Sequence, residues 1–163
     1  DLIEKYPNLL CVQTFSKSRS MAGARLGFAI GCEELIADLE KIKYSTNPYN
    51  INRSTMAAGI AAIDDNEYYK NNCQTVINAR EYTKTELRKL GFDVIESKAN
   101  FVFARDEKYS GKEIYTLLRQ NGILVRHFTT ELIKDFNRIS IGSFEQMETL
   151  IETLQKLLSV QGG

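Results

Sequence analysis

One run constrains this chain's fold more than any other. Between Asn66 and Leu90, the residues Tyr69, Cys73, Val76, Arg80, Thr83, Leu87 and Leu90 recur at alternating spacings of four and three. That is a seam along one face of a long α-helix. Asn66 is placed to cap its start, and Gly91 to end it. The patterns on either side differ. Ahead of the seam, residues 1–6 read as a helix tail stopped by Pro7, and Leu9 to Phe15 as a buried strand. A Ser-rich basic loop follows, then a strand over Arg25 to Ile30, with bulky Leu26, Phe28 and Ile30 alternating with Gly27, Ala29 and Gly31. Helices are expected over Glu33 to Tyr44 and over 52–64, separated by the loop STNPYN. After Gly91, strands are expected at 92–96, 101–105, 123–128 and 138–141, with helices at 111–120 and 143–159. This reads as a small α+β layer. The domain boundary therefore falls inside the long helix, near residue 75.

Charge and composition exclude several functions. Twenty-one basic and twenty-one acidic residues cancel, so no net field draws the chain to nucleic acid or to an anionic membrane. No groove-reading motif is present. No apolar run approaches the roughly 18 residues of a membrane-spanning helix. The opening DLIEKYPNLL has neither the basic nor the apolar region of a signal peptide. Cys11, Cys32 and Cys73 are widely spaced and form no metal or redox pattern, which points to a reducing, cytoplasmic setting. The single histidine, His127, lies in a strand-like run with no nucleophile motif nearby and reads as structural. No metal site is expected. The chain opens at Asp1, in what reads as the end of a helix, and is expected to be part of a longer protein.

The stretch that carries chemistry is Thr14-Phe15-Ser16-Lys17-Ser18-Arg19-Ser20-Met21-Ala22-Gly23-Ala24-Arg25-Leu26-Gly27. A strand delivers a lysine at its end, hydroxyls flank that lysine, and an arginine lies eight residues on. A phosphate held here would take hydrogen bonds from Thr14 or Ser16 and a forked pair from Arg25. The Lys17 amine, expected to be partly buried beside the cations Arg19 and Arg25, would then reach an aldehyde carried by the same molecule. The plainer alternative is a solvated basic loop.

TFSKSRSMAG matches the ten-residue signature around the Schiff-base lysine of class-II pyridoxal-phosphate (PLP) aminotransferases, and ARLGFAIG resembles that family's phosphate-arginine segment. Within the family the chain is most similar to histidinol-phosphate aminotransferases. It carries YPNL at 6–9, PYNIN at 48–52, SKANF at 97–101 and RISIG at 138–142, in the same order. The resemblance implies an α/β fold: the C-terminal part of a PLP-transferase fold of type I. Residues 1–75 would then be the incomplete end of the large PLP-binding domain, and 76–163 the small C-terminal α+β domain.

The resemblance also implies roles. Lys17 would be the catalytic, cofactor-bound lysine. Ser16 and Arg25, with Thr14, would hold the phosphate of pyridoxal 5'-phosphate. Arg138, assisted by Arg126, would bind the substrate's anionic group. The parent enzyme would exchange an amino group between a small-molecule donor, histidinol phosphate, and 2-oxoglutarate in histidine biosynthesis, as a homodimer. The 163-residue chain alone is expected to be inactive, because family residues that stack on and charge-pair with the cofactor ring have no counterpart in it. Two alternatives stay open at this point. One is a different fold-type I enzyme, such as another aminotransferase or an amino-acid-phosphate decarboxylase. The other is a non-catalytic domain that binds a phosphate or a partner.

Overall fold

Pro7 follows a short first helix, α1 (Leu2–Lys5), and the chain then forms a hairpin. The computed structural model describes residues 2–160. Strands β1 (Leu10–Thr14) and β2 (Gly27–Gly31) pair antiparallel from Leu10↔Gly31 to Thr14↔Gly27. Gly27 has to be glycine for this pairing, since a Cβ there would meet the Gln13 carbonyl oxygen at 2.8 Å. Helices α2 (Glu33–Thr46) and α3 (Arg53–Asp64) follow. Asn52 caps α3, its side chain accepting the Thr55 amide at 2.8 Å. The buried strand expected at 9–15 forms, but it is not buried. Val12 is 70% exposed, and Phe15, just past the strand, is the buried apolar residue at 5%. A two-stranded ribbon has no second layer of its own, so apolar content alone does not bury it.

Helix α4 (Asn66–Lys89) realises the long seam as one element. Its cap is Asp65 rather than Asn66: the Asp65 carboxylate accepts the Tyr68 amide at 3.2 Å. Gly91 ends it with φ of 93°, while the Phe92 amide returns to the Leu87 carbonyl at 3.0 Å. Arg80, Thr83 and Leu87 of the seam are buried, and Ala79 and Lys84 join them. The chain divides into two compact units between Asn72 and Cys73, within this helix.

The second unit holds a four-stranded antiparallel sheet of β3 (Asp93–Ile95), β4 (Phe101–Arg105), β5 (Arg126–His127) and β6 (Asn137–Ser140), in the order β3-β4-β6-β5. Alternation sorts the two faces. Val102, Ala104, Asn137 and Ile139 turn inward, while Phe101, Phe103, Arg138 and Ser140 take the opposite face. Helices α5 (Gly111–Gln120) and α6 (Phe144–Val160) supply the other half of the core. Leu87, Ile114, Leu118, Leu150 and Leu154 are essentially inaccessible there. Each such leucine is worth roughly 2–5 kcal/mol against alanine. Ser110 and Glu113 form a capping box that starts α5. Strand β5 is shorter than the expected 123–128 because the Ile123 amide is used to close α5 on the Leu118 carbonyl, at 2.9 Å. No helix among the described residues is long and apolar enough to cross a membrane.

Candidate functional site

The sequence-predicted residues fall into two groups, one in each unit. In the first, the β1–β2 pairing continues one step past Thr14, with the Phe15 amide on the Leu26 carbonyl at 3.1 Å. The chain then turns. The Ser20 amide donates to the Lys17 carbonyl and the Met21 amide to the Phe15 carbonyl, both at 3.0 Å. The Thr14 hydroxyl accepts the Ser16 amide at 3.1 Å and donates to the Ser16 hydroxyl at 2.9 Å. This small hydroxyl-bonded turn fixes where the backbone leaves the strand. Ser20 and Arg25 both adopt left-handed backbone, with φ of 56° and 55°. Such conformations cost a non-glycine residue roughly 1–3 kcal/mol and gather at functional turns.

Thr14, Ser16, Lys17 and Arg25 thus collect at one end of one hairpin. Lys17 is exposed, contrary to the partial burial expected of it: the contacts that the turn makes with neighbouring elements go through Arg19 and not through Lys17. Its amine has neither an acceptor nor an acid partner among the described residues. One Arg25 nitrogen donates to the Ala22 carbonyl at 3.2 Å, which leaves the rest of the fork open. Two hydroxyls, a forked cation and a free amine form a donor set suited to a phosphate ester that also carries a carbonyl.

The second group lies on the open face of the four-stranded sheet. Arg126 and Arg138 are directly opposite each other in the β5–β6 register, and neither has a carboxylate partner among the described residues. Arg138 sits 5.5 Å from the Phe101 ring, and Arg126 lies 5.6 Å from Phe128. Phe103, the register partner of Arg138, packs edge-on to Phe128 at 5.9 Å. A cleft of about 530 Å³ is bounded by Glu96, Ser97, Lys98, Phe101, Phe128 and Arg138. Apolar rings around unpaired guanidinium groups leave those charges available to an incoming anion.

Helix α4 supports this cleft from behind. Arg80 donates to the Ala99 carbonyl at 3.1 Å. Lys84 bridges Glu81 and Glu96 at 2.9 and 2.7 Å, and Arg88 meets the other Glu96 oxygen at 2.5 Å. Lys84 first, then Arg88, pull the Glu96 carboxyl down to about 2. Sequence reasoning missed this buttress and the aromatic surround; the alternation of Phe101 and Phe103 with Val102 and Ala104 was the available signal. His127 stacks against Tyr115 at 5.9 Å, in keeping with a structural role.

Comparison with known proteins places these features in a family. The model for aminotransferase class I and II matches residues 1–154. A histidinol-phosphate aminotransferase of Brachyspira hyodysenteriae is 50% identical over 157 residues, covering 96% of this chain and 44% of that protein. One from Chromohalobacter salexigens is 52% identical over 154 residues, covering 94% and 44%. Among solved structures, the histidinol-phosphate aminotransferase of Clostridium acetobutylicum superposes with a TM-score of 0.82 at 31% identity, over 95% of this chain and 47% of that one. That of Sinorhizobium meliloti, in complex with pyridoxal-5'-phosphate, gives 0.77 at 27% identity, over 93% and 42%. The chain spans less than half the length of these relatives. A lysine turn, an unpaired arginine pair and a family match over residues 1–154 lead to one conclusion: the chain belongs to the class I and II aminotransferases.

Proposed function

We propose that the protein carrying this chain is a PLP-dependent histidinol-phosphate aminotransferase, acting in the cytoplasm in histidine biosynthesis. Histidinol phosphate and 2-oxoglutarate are its amino donor and acceptor, and the full protein is a homodimer. In this reading residues 1–75 complete the large cofactor-binding domain and 76–163 form the small domain.

The observation that carries the reading is that one end of the β1–β2 hairpin holds the Thr14–Ser16 hydroxyl turn, Lys17, whose amine has no partner among the described residues, and Arg25, part of whose fork is free. These donors fit pyridoxal 5'-phosphate. Arg25, Ser16 and Thr14 would hold its phosphate, and Lys17 its aldehyde carbon. When bound, the cofactor supplies a carbonyl that accepts an amino group and a ring that draws electrons away from the reacting carbon.

The chain's own residues do the rest. Lys17 would hold the cofactor through its amine, and that amine would take up and return a proton at the substrate's reacting carbon. Ser16, Thr14 and Arg25, by holding the phosphate, would keep the Lys17 amine within local reach of the proton it moves. Arg138 anchors the anionic end of the substrate, the phosphate of histidinol phosphate in one half-reaction and a carboxylate of 2-oxoglutarate in the other. Arg126 adds a second cation beside it. The high identity to histidinol-phosphate aminotransferases supports this substrate over those of other family members.

The test is to add PLP to the full-length protein, reduce with borohydride and locate the label by peptide mass. The label is expected on Lys17 and absent from a folded Lys17→Ala variant. Label on another lysine would overturn the assignment. Turnover with histidinol phosphate, compared with other amino donors, settles the substrate.

A further inference from the structure

We propose that Arg19 is the positioning residue of the lysine turn, an assignment that rests on the reading of Lys17 given above. Arg19 lies two residues beyond Lys17, inside the turn closed by the Ser20–Lys17 and Met21–Phe15 backbone bonds. Lys17 and Arg25 are exposed, whereas Arg19 is half-buried. Its guanidinium carbon sits 4.2 Å from the centre of the Tyr69 ring and 5.8 Å from that of Phe15. A guanidinium nitrogen donates to the carbonyl of Ala62.

Each contact has a physical reason. Ala62 is in the last turn of α3, where carbonyls lack intrahelical partners and the helix dipole is negative. A cation there satisfies an orphan acceptor and complements the dipole. Tyr69 is in the first turn of α4, so one side chain ties the turn to the α3–α4 junction. Phe15, buried at 5%, supplies the third anchor from the base of the same turn. The planar guanidinium stacks on rings and donates to a carbonyl at once, which lysine's compact ammonium does not.

Lys17 itself has no side-chain partner among the described residues, so the direction of its amine is inherited from the backbone of its turn. That backbone includes left-handed Ser20, which relaxes unless something holds it. Arg19 is what holds it. Without Arg19, residues 16–21 would sample several conformations, and the amine would meet the cofactor aldehyde only in a fraction of them.

The test uses the full-length protein as wild type, Arg19→Ala, Arg19→Lys, Tyr69→Leu and Lys17→Ala. Amide hydrogen exchange is measured without PLP on a peptide covering residues 15–24. The rate at which PLP is captured on Lys17 is measured by borohydride trapping. Arg19→Ala is expected to raise exchange across 16–21 and to slow capture by about tenfold, in keeping with loss of a desolvated cation–π contact. Arg19→Lys is expected to recover capture in part, and Tyr69→Leu to slow it less than Arg19→Ala. Unchanged exchange, or capture within about twofold of wild type in Arg19→Ala, overturns the proposal. If Arg19→Ala does not fold, Tyr69→Leu decides by the same two measurements. Wild type that fails to capture PLP on Lys17 would instead refute the reading of Lys17, while the exchange data, taken without PLP, would still decide whether Arg19 holds the turn.

Discussion

Arg126 and Arg138 stand directly opposite each other on neighbouring strands, and neither has a carboxylate partner among the described residues. Like charges in that position cost a sheet roughly 0.2–1 kcal/mol. A fold that carries the cost without neutralising it keeps both charges free. Arg138→Ala in the full-length protein should therefore raise KM for histidinol phosphate by about tenfold to a hundredfold, the loss of one charge-assisted contact. Its urea midpoint should hold or rise slightly. A matching fall in stability would show that Arg138 is structural.

The arginine proposed to grip the cofactor's phosphate combines an exposed side chain with an unfavourable backbone. Arg25 has φ of 55°, where glycine rests without strain. Arg25→Gly should leave stability within about 1 kcal/mol of wild type, since relief of strain offsets the added chain entropy. The same change should weaken PLP binding by at least about tenfold, with the loss of a forked phosphate contact. Equal PLP affinity in the two proteins would remove Arg25 from the phosphate site.

Acid should loosen the second unit through Glu96. Lys84, and after it Arg88, hold the folded Glu96 carboxyl at about 2, below its ordinary 4.5. A depressed carboxyl contributes stability that is complete above the unfolded value and disappears as pH falls from there toward the folded one. The window is thus from about 4.5 down to about 2. Lys84 shifts the opposite way: the hydrogen bonds it donates to Glu96 and Glu81 raise it above 10.5, so its share persists at neutral pH and fades only in strong alkali. Denaturant midpoints measured down through the acid window should fall in wild type and fall less steeply in Glu96→Gln. Identical acid limbs would contradict the account.

Gly111 begins α5 in a space with no room for a side chain. A Cβ would lie 2.6 Å from the Lys134 carbonyl oxygen and 2.7 Å from the Asp135 carbonyl carbon, both backbone. Its own carbonyl accepts the buried Asn137 side chain at 2.9 Å. Gly111→Ala should destabilise by about 1–3 kcal/mol, through overpacking that rigid backbone resists. Gly23→Ala, where nothing lies within 4 Å, serves as the neutral control. Thermal or urea unfolding of the two variants compares them directly.

The second unit was largely legible in the sequence. The bounds expected for β4 and α5 agree with those observed, and β6 and α6 differ by one residue, because alternation and the capping box are local signals. Burial of β1 was not legible, since it depends on what lies over the strand and not on the strand's own composition. Lys84 was absent from the seam because a buried lysine is tolerated only when paired, and its acid Glu96 is 12 residues away. The lysine turn was legible as a motif. Arg19 appeared in it as one more positive charge, since its partners Ala62 and Tyr69 are 43 and 50 residues distant and no spacing rule connects them.

The strict inside–outside alternation of β4 and β6 ties ligand recognition to the hydrocarbon interior. Sliding β6 by one residue against β4 would bury the guanidinium of Arg138 and expel Ile139 into water, an exchange that the core forbids. The anion grip proposed for Arg138 therefore needs no lock of its own: whatever keeps Val102, Ile139 and Leu118 dry also aims the guanidinium.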